Sequence, residues 1–312
     1  MEYNYKGIYV DNPAELLNAF REGNMCPVYA KRNMGGLFEY FESVIESESE
    51  LDMYAYAWVL LKHGDFAQKH KGYSIAYKLT EKGFAPAYNL CGLEYFTGNL
   101  MEKNCAEGIR LIQKSSDGGF IIGKYNLGCA YIKGEGVEKD SQKGFKILEE
   151  CAEYGYNSAI RSLGLRYYRG KDGCEVNYGL AKKYFEAAAE QYDTKSMVYL
   201  GEIYASGLGV PVDFKNAVDW YKKAAELDNF DAQAILGVLL IDETKGEKQP
   251  EQAYSYMKES AENGIVASMY NIAVCILNGE FWWETKETAK YWLEKAASAG
   301  DEDAKKLLET FE

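Results

Sequence analysis

Few residues in this chain combine the type and the spacing that chemistry needs. There are two histidines, His63 and His70, seven positions apart. No acidic residue or cysteine stands near them at metal-ligand spacing, so they read as solvated or capping imidazoles rather than a zinc site or a catalytic pair. A Ser-x-x-Lys match, Ser255 and Lys258, falls in a segment of helical periodicity. No matched base or oxyanion motif accompanies it, and Lys258 reads as a surface residue. GxxxxGK[ST], GxGxxG after a strand and HExxH are all missing. The 7 cysteines run from Cys26 to Cys275 at irregular spacing without a CxxC. They are expected to be reduced and mostly in the core, not a disulfide framework or a zinc ribbon. Glu39, Glu42, Glu46, Glu48, Glu50 and Asp52 form a run with no Lys or Arg between them. It reads as a solvated helix end or loop, with a docking patch for a basic partner as the alternative. The expectation is no catalytic residue, no metal and no cofactor, hence a protein that is not an enzyme.

The chain has 312 residues, 35 Lys+Arg against 48 Asp+Glu, and a formal charge of −13. It is 47% apolar with only 5 Pro, which is a globular composition. The acidic balance argues against a nucleic-acid backbone or an anionic membrane as the main partner. The N-terminal MEYNYKGIYVDNP lacks a basic segment followed by an apolar core. The longest apolar run, ending Ala57-Trp58-Val59-Leu60-Leu61, is far short of the ~20 residues that span a bilayer. A cytoplasmic location is expected, although export by a dedicated secretion machine would leave the same sequence.

The elements that must position any site come from an internal repeat. Gly83, Gly119, Gly155, Tyr192, Asp228, Gly264 and Gly300 mark one point in successive units, 36 or 37 residues apart. Nine residues after each of the first six comes a small residue: Gly92, Gly128, Gly164, Gly201, Gly237 and Ala273. A larger one follows three later (Tyr95, Tyr131, Tyr167, Tyr204, Leu240, Ile276), then Gly98, Gly134, Gly170, Gly207 and Gly279, with Glu243 the exception. A second small residue lies eleven before each unit's end: Gly108, Gly144, Ala181, Ala217, Ala253 and Ala289. Glycine in a helix costs about 1 kcal/mol against Ala. A cost repeated at one register implies close approach of a neighbouring helix. The later Gly suits a left-handed helix end.

The second helix opens four residues before its small position, at Asn104, Asp140, Asn177, Asp213 and Thr285, all N-cap types. The remaining unit has Gln249-Pro250, and Pro suits the first helical position. Each unit is helix, turn, helix, and buries its apolar stripes only by stacking on neighbours. The predicted organisation is an N-terminal helical cap at 1–49 and a degenerate repeat at 50–83 with poor capping. Six repeats follow at 84–119, 120–155, 156–192, 193–228, 229–264 and 265–300, and a capping helix at 301–312. Within the cap, Asn12-Pro13 opens one helix through Phe20, Leu37–Ile45 is a second, and Gly35-Gly36 separates them.

Leu127-Gly128…Tyr131…Gly134-Glu135-Gly136-Val137…Asp140 and Leu200-Gly201…Tyr204…Gly207-Leu208-Gly209-Val210…Asp213 resemble the first half of a Sel-1-like repeat. Lys215 to Ala225 resembles the family's second helix. The resemblance implies an all-α fold, a right-handed α/α superhelix of about seven helix-turn-helix repeats, acting as an adaptor that holds proteins together. The unit at 229–264 departs from the pattern, with Leu240 and Glu243 at the Tyr and Gly positions, and a locally different bend is expected there. The resemblance also raises two alternatives: a β-lactamase-like hydrolase using Ser255, and a secreted effector that binds host proteins.

By analogy with tetratricopeptide repeats, the first helices line a concave groove that takes a peptide or protein segment. The inward strip includes Asn89, Phe96, Tyr125, Lys133, Arg161, Tyr168, Arg169 and Tyr270. Aromatic faces with Arg161 and Arg169 suit an extended peptide, with Arg pairing a carboxylate. Alternatively, Phe96, Tyr125 and Tyr168 pack between adjacent first helices. Leu93, Cys129 and Leu165 stand where the tetratricopeptide carboxylate clamp has Asn, which argues against a chaperone-tail co-factor.

Overall fold

The computed structural model describes residues 8–10, 13–21, 27–29, 37–44, 49–171 and 173–311. It comprises two compact units, Met1–Asp193 and Thr194–Glu312. Each is a solenoid of stacked helix pairs.

The first unit opens with strand β1 (Ile8–Val10), helix α1 (Pro13–Arg21), strand β2 (Pro27–Tyr29) and helix α2 (Leu37–Val44). The helices match the amphipathic segments read from sequence. The strands do not, since that stretch reads as helical throughout. β1 and β2 pair in parallel, Ile8 with Pro27 and Val10 with Tyr29. Short β-branched and aromatic runs favour this, and α1 serves as the crossover that parallel strands need. Asn12, Gly35-Gly36 and Ile45 lie outside the described residues. Leu16, Leu17 and Phe20 of α1 are fully buried. Phe20 meets Tyr54 and Trp58 edge-on, at 5.8 and 5.5 Å between ring centroids.

Tyr54 and Trp58 belong to α3 (Glu50–His63), which pairs with α4 (Phe66–Glu81). This pair is better capped than its sequence suggests. Ser49 caps α3, and Asp65 with Gln68 forms a reciprocal capping box on α4. The cap is easily missed because α4 is 16 residues long and starts a turn earlier than the later second helices. A Cβ on Gly72 would lie 3.0 Å from the Ala57 carbonyl, so these helices also cross in close contact. His63, in the last turn of α3, faces Trp58 edge-on at 5.8 Å, with its Nε2 buried and unbonded. Burial, and then the neighbouring Lys62, push its pKa down to about 4.

Three further pairs complete the unit: α5 (Ala85–Thr97) with α6 (Cys105–Asp117), α7 (Ile121–Lys133) with α8 (Ser141–Glu153), and α9 (Asn157–Arg169) with α10 (Tyr178–Ala189). The second unit holds α11 (Thr194–Ser206) with α12 (Phe214–Glu226), α13 (Phe230–Ile241) with α14 (Pro250–Glu262), and α15 (Val266–Leu277) with α16 (Lys286–Ser298). Helix α17 (Glu302–Glu309) packs on α16 and buries Ala304.

The small residues sit at the crossing within each pair. A Cβ on Gly144 would lie 2.6 Å from the Gly128 carbonyl, and one on Gly128 would lie 2.5 Å from Leu148. Gly92 and Gly108 approach each other in the same way. Where the second small residue is Ala, a bulky partner covers the first-helix glycine: Phe185 over Gly164, Tyr221 over Gly201, Met257 over Gly237. Asn104, Asp140, Asn177, Asp213 and Thr285 each accept the cap bond from the backbone amide three residues on. Each such cap contributes about 1 kcal/mol. At the repeat boundary the chain takes positive φ even at Tyr192 (61°) and Asp228 (58°), where other units have Gly. In the unit that lacks the turn glycines, Asp242 instead accepts from the Thr244 amide and hydroxyl at 2.9 and 2.6 Å.

Two outcomes follow. Gly128→Leu and Gly144→Ala should each destabilise the chain by about 1–3 kcal/mol in denaturant melts, because the backbones cannot part without losing core contacts. An unchanged midpoint would contradict this crossing. His63 stays neutral in the fold while the unfolded chain protonates near pH 6.5. Its contribution is full above that pH and is lost as pH falls towards 4. The melting temperature of His63→Phe should therefore fall less between pH 7 and pH 5 than that of the wild type. Parallel curves would refute the burial argument.

Candidate functional site

The strip read from sequence separates into three groups. In the first, residues tie a first helix to a segment about one repeat on. Asn89 of α5 is buried and accepts a bond from Asn126 Nδ2 of α7 at 2.7 Å. Tyr125 of α7 shares a 3.1 Å hydrogen bond with Ser162 Oγ of α9, and its ring meets Tyr156 edge-on at 5.1 Å. Burial, and then the neighbouring Cys129, hold the Tyr125 phenol well above its ordinary pKa. Arg161 of α9 forms an ion pair with Asp193, the two side chains being 22% and 10% exposed. The same kind of tie recurs in the second unit, where Asn229 Nδ2 donates to Thr194 Oγ1 at 3.0 Å.

The second group packs against its own pair. The Phe96 ring lies where a Gly108 side chain would be, with Cδ2 2.9 Å from the position of its Cβ. Tyr168 meets Tyr178 and Phe185 edge-on, at 5.5 and 6.1 Å. The third group faces solvent. Lys133 ends α7, 3.7 Å from Glu135, and Arg169 ends α9. Tyr270 is half-buried on α15, in the second unit.

Sequence pattern does not by itself single out the partners Asn126, Ser162 and Asp193. The signal was available for two of them: Asn89 and Asn126, like Tyr125 and Ser162, are separated by 37 residues, one repeat plus one. A second row of small residues was also missed. Ser115 Oγ donates to the Ala85 carbonyl at 2.8 Å, and Ser260 Oγ to the Phe230 carbonyl at 2.7 Å. A Cβ on Gly123 would lie 2.5 Å from Ser115 Oγ, so a second helix and the next first helix also cross closely.

The other candidates have structural surroundings. Ser255 and Lys258 are exposed on α14, and Lys258 Nζ lies 6.0 Å from the Tyr254 ring centroid. His70 meets Phe66 edge-on at 4.5 Å. Among the described residues no group of three or more His, Cys, Asp or Glu is placed to hold a metal ion. The described cysteines are free, with Cys91, Cys151 and Cys275 buried and Cys105, Cys129 and Cys174 half-buried. Cys26 is outside the described residues. Burial raises the Cys91 and Cys151 thiols to about 12. The acidic run is partly structural. Asp52 is buried and held by Arg21 through two bonds of 2.9 and 2.6 Å. Glu42 accepts from Tyr56 at 2.6 Å and Lys71 at 2.8 Å. Glu46 and Glu48 lie outside the described residues. No described helix is long and apolar enough to cross a membrane.

Comparison with known proteins agrees with this architecture. The family model "Sel1 repeat" matches residues 85–120, 122–155, 157–193, 194–229, 230–265 and 266–301. A Sel1 repeat protein from Oxalobacter formigenes is 25% identical and superimposes with a TM-score of 0.68, over 79% of this chain and 99% of that one. A protective antigen with this repeat fold, present in uropathogenic Escherichia coli strains, is also 25% identical, with a TM-score of 0.61 over 95% of this chain and 63% of the other. Among curated proteins, an F-box protein of Arabidopsis thaliana is 30% identical over 109 residues, which is 35% of this chain and 29% of that protein. The chain thus spans under a third of the length of that curated relative. With matches over well more than half of its residues, in helix pairs that cross at the repeat's small positions, the chain belongs to the Sel1 repeat family.

Proposed function

We propose that this protein is a protein-interaction scaffold that holds an acidic or C-terminal peptide segment of a partner against its first helices. One observation carries the reading. Small and bulky residues make the close helix crossings and Tyr125 with Ser162 ties first helices, while Lys133 and Arg169 stand exposed at the C-terminal ends of successive first helices. Nothing in the repeat calls for basic residues there, and the chain as a whole carries −13. Two cations a repeat apart suit an extended segment bearing carboxylates, with a guanidinium able to grip one bidentately. Arg161, Tyr125 and Asn89 frame the same strip from within, Phe96 and Tyr168 shape its apolar floor, and Tyr270 offers an equivalent position in the second unit. The assigned partner class is a protein. Nucleic acid is disfavoured by the net charge.

The test is fluorescence anisotropy with labelled peptides ending in acidic residues and a free C-terminal carboxylate. Lys133→Glu/Arg169→Glu should weaken binding at least about tenfold, since it replaces two attractive contacts with repulsive ones. Its melting temperature should stay near wild type, because both side chains are exposed. Arg161→Ala is a poor probe, because it also removes the ion pair with Asp193. Equal binding by wild type and the double variant, or no binding by either, would defeat the proposal.

A further inference from the structure

A recess of about 300 Å3 lies in the first unit among α4, α5 and α6, apart from the first-helix strip. Four tyrosines wall it, Tyr73 and Tyr77 from α4 and Tyr88 and Tyr95 from α5. Cys91 and Leu111, both buried, form its floor. The walls are held open by contacts of their own. Tyr88 donates its hydroxyl to the Thr80 carbonyl at 2.8 Å, and Lys114 Nζ lies 5.4 Å from the Tyr88 ring centroid. Arg110 is gripped by Glu107 through two bonds of 2.7 and 2.6 Å. Tyr77 stands at the lip, 52% exposed, its ring 6.3 Å from that of Tyr73.

The repeat does not demand this. One repeat on, the matching residues between α6 and α8 are Ile109, Gln113, Lys124 and Tyr131, with a single tyrosine among them. There Lys124 pairs with Glu150 at 2.6 Å and Lys143 lies 3.9 Å from the Tyr131 ring centroid.

Charge and shape narrow the occupant. Glu81 and Glu107 at the mouth balance Lys114 and Arg110, so neither an anion nor a cation gains from entering. Ring faces over a thiol and a leucine reward a flat, uncharged group through offset and edge-on contacts. A recess of this size with a polar rim matches the pocket that receives one anchoring side chain at a protein interface. We propose that it receives an aromatic side chain (Trp, Tyr or Phe) projecting from a partner protein, a second anchoring point that does not use the first-helix strip.

The test titrates the full chain with N-acetyl-tryptophanamide, N-acetyl-tyrosinamide and N-acetyl-phenylalaninamide, followed by amide shifts in NMR. Saturable shifts confined to α4–α6 are expected at millimolar concentration. N-acetyl-argininamide, N-acetyl-leucinamide and N-acetylglucosamine should bind at least about fivefold more weakly, having no uncharged aromatic ring to stack. Tyr77→Ala should weaken the ring amides about fivefold or more with an unchanged melting temperature, as truncating an exposed wall residue removes contact area but no core. Glu81→Gln should leave them within about twofold, since the occupant is uncharged. The proposal is overturned by an absence of saturable shifts, by ring binding that survives Tyr77→Ala, or by arginine amide or sugar binding as tightly. None of these outcomes depends on whether acidic peptides bind near Lys133 and Arg169.

Discussion

The distance between the two helices of a pair is set by the contact of small residues at their crossing. At Gly128 and Gly144 the backbones pass so closely that a carbonyl oxygen of one occupies the space a Cβ of the other would need. That approach lets Leu148 and Ile147 reach across α7, and it explains why helix propensity is sacrificed at the same register. Where Ala replaces the second glycine, a ring or a methionine takes up the slack over the first, as Tyr221 does at Gly201. Dispersion between close-packed groups is the return on that sacrifice.

Stacking uses a second set of contacts. Ser115 against Gly123 brings α6 against α7, and Ser260 bonded to Ser268 at 2.8 Å brings α14 against α15. Buried hydroxyls there must be bonded, and the carbonyls at the start of the preceding first helix supply the acceptors. Polar ties join neighbouring first helices, Asn89 to Asn126 and Tyr125 to Ser162. A residue at these first-helix positions can therefore serve assembly as readily as binding, and composition alone does not separate the two.

Legibility follows the range of the interaction. The caps at Asn104, Asp140, Asn177 and Asp213 act within three residues, so residue type and spacing reveal them. The Asp65–Gln68 box obeys the same chemistry but escapes notice because α4 is a turn longer and leaves the repeat's register. The parallel pairing of β1 and β2 joins residues about 19 apart through a helix. Runs of only three residues carry too little pattern to announce it. Asp52, read within a solvated acidic run, is buried because Arg21 reaches it from α1. No local rule brings those two together.

By itself, the sequence determined the repeat, its helix-turn-helix unit, the register of small residues and most of the caps, because each depends on neighbours within a turn or two or recurs every 36 or 37 residues. Tertiary structure alone decided which residues of the first-helix strip read from sequence are used in assembly. Arg161 faces Asp193 across 32 residues, and Tyr125 faces Ser162 across 37. It alone gathered four tyrosines around one recess. Burial and pairing at such separations depend on how helices are stacked, and the stacking is a property of the packed surfaces rather than of any one stretch of chain.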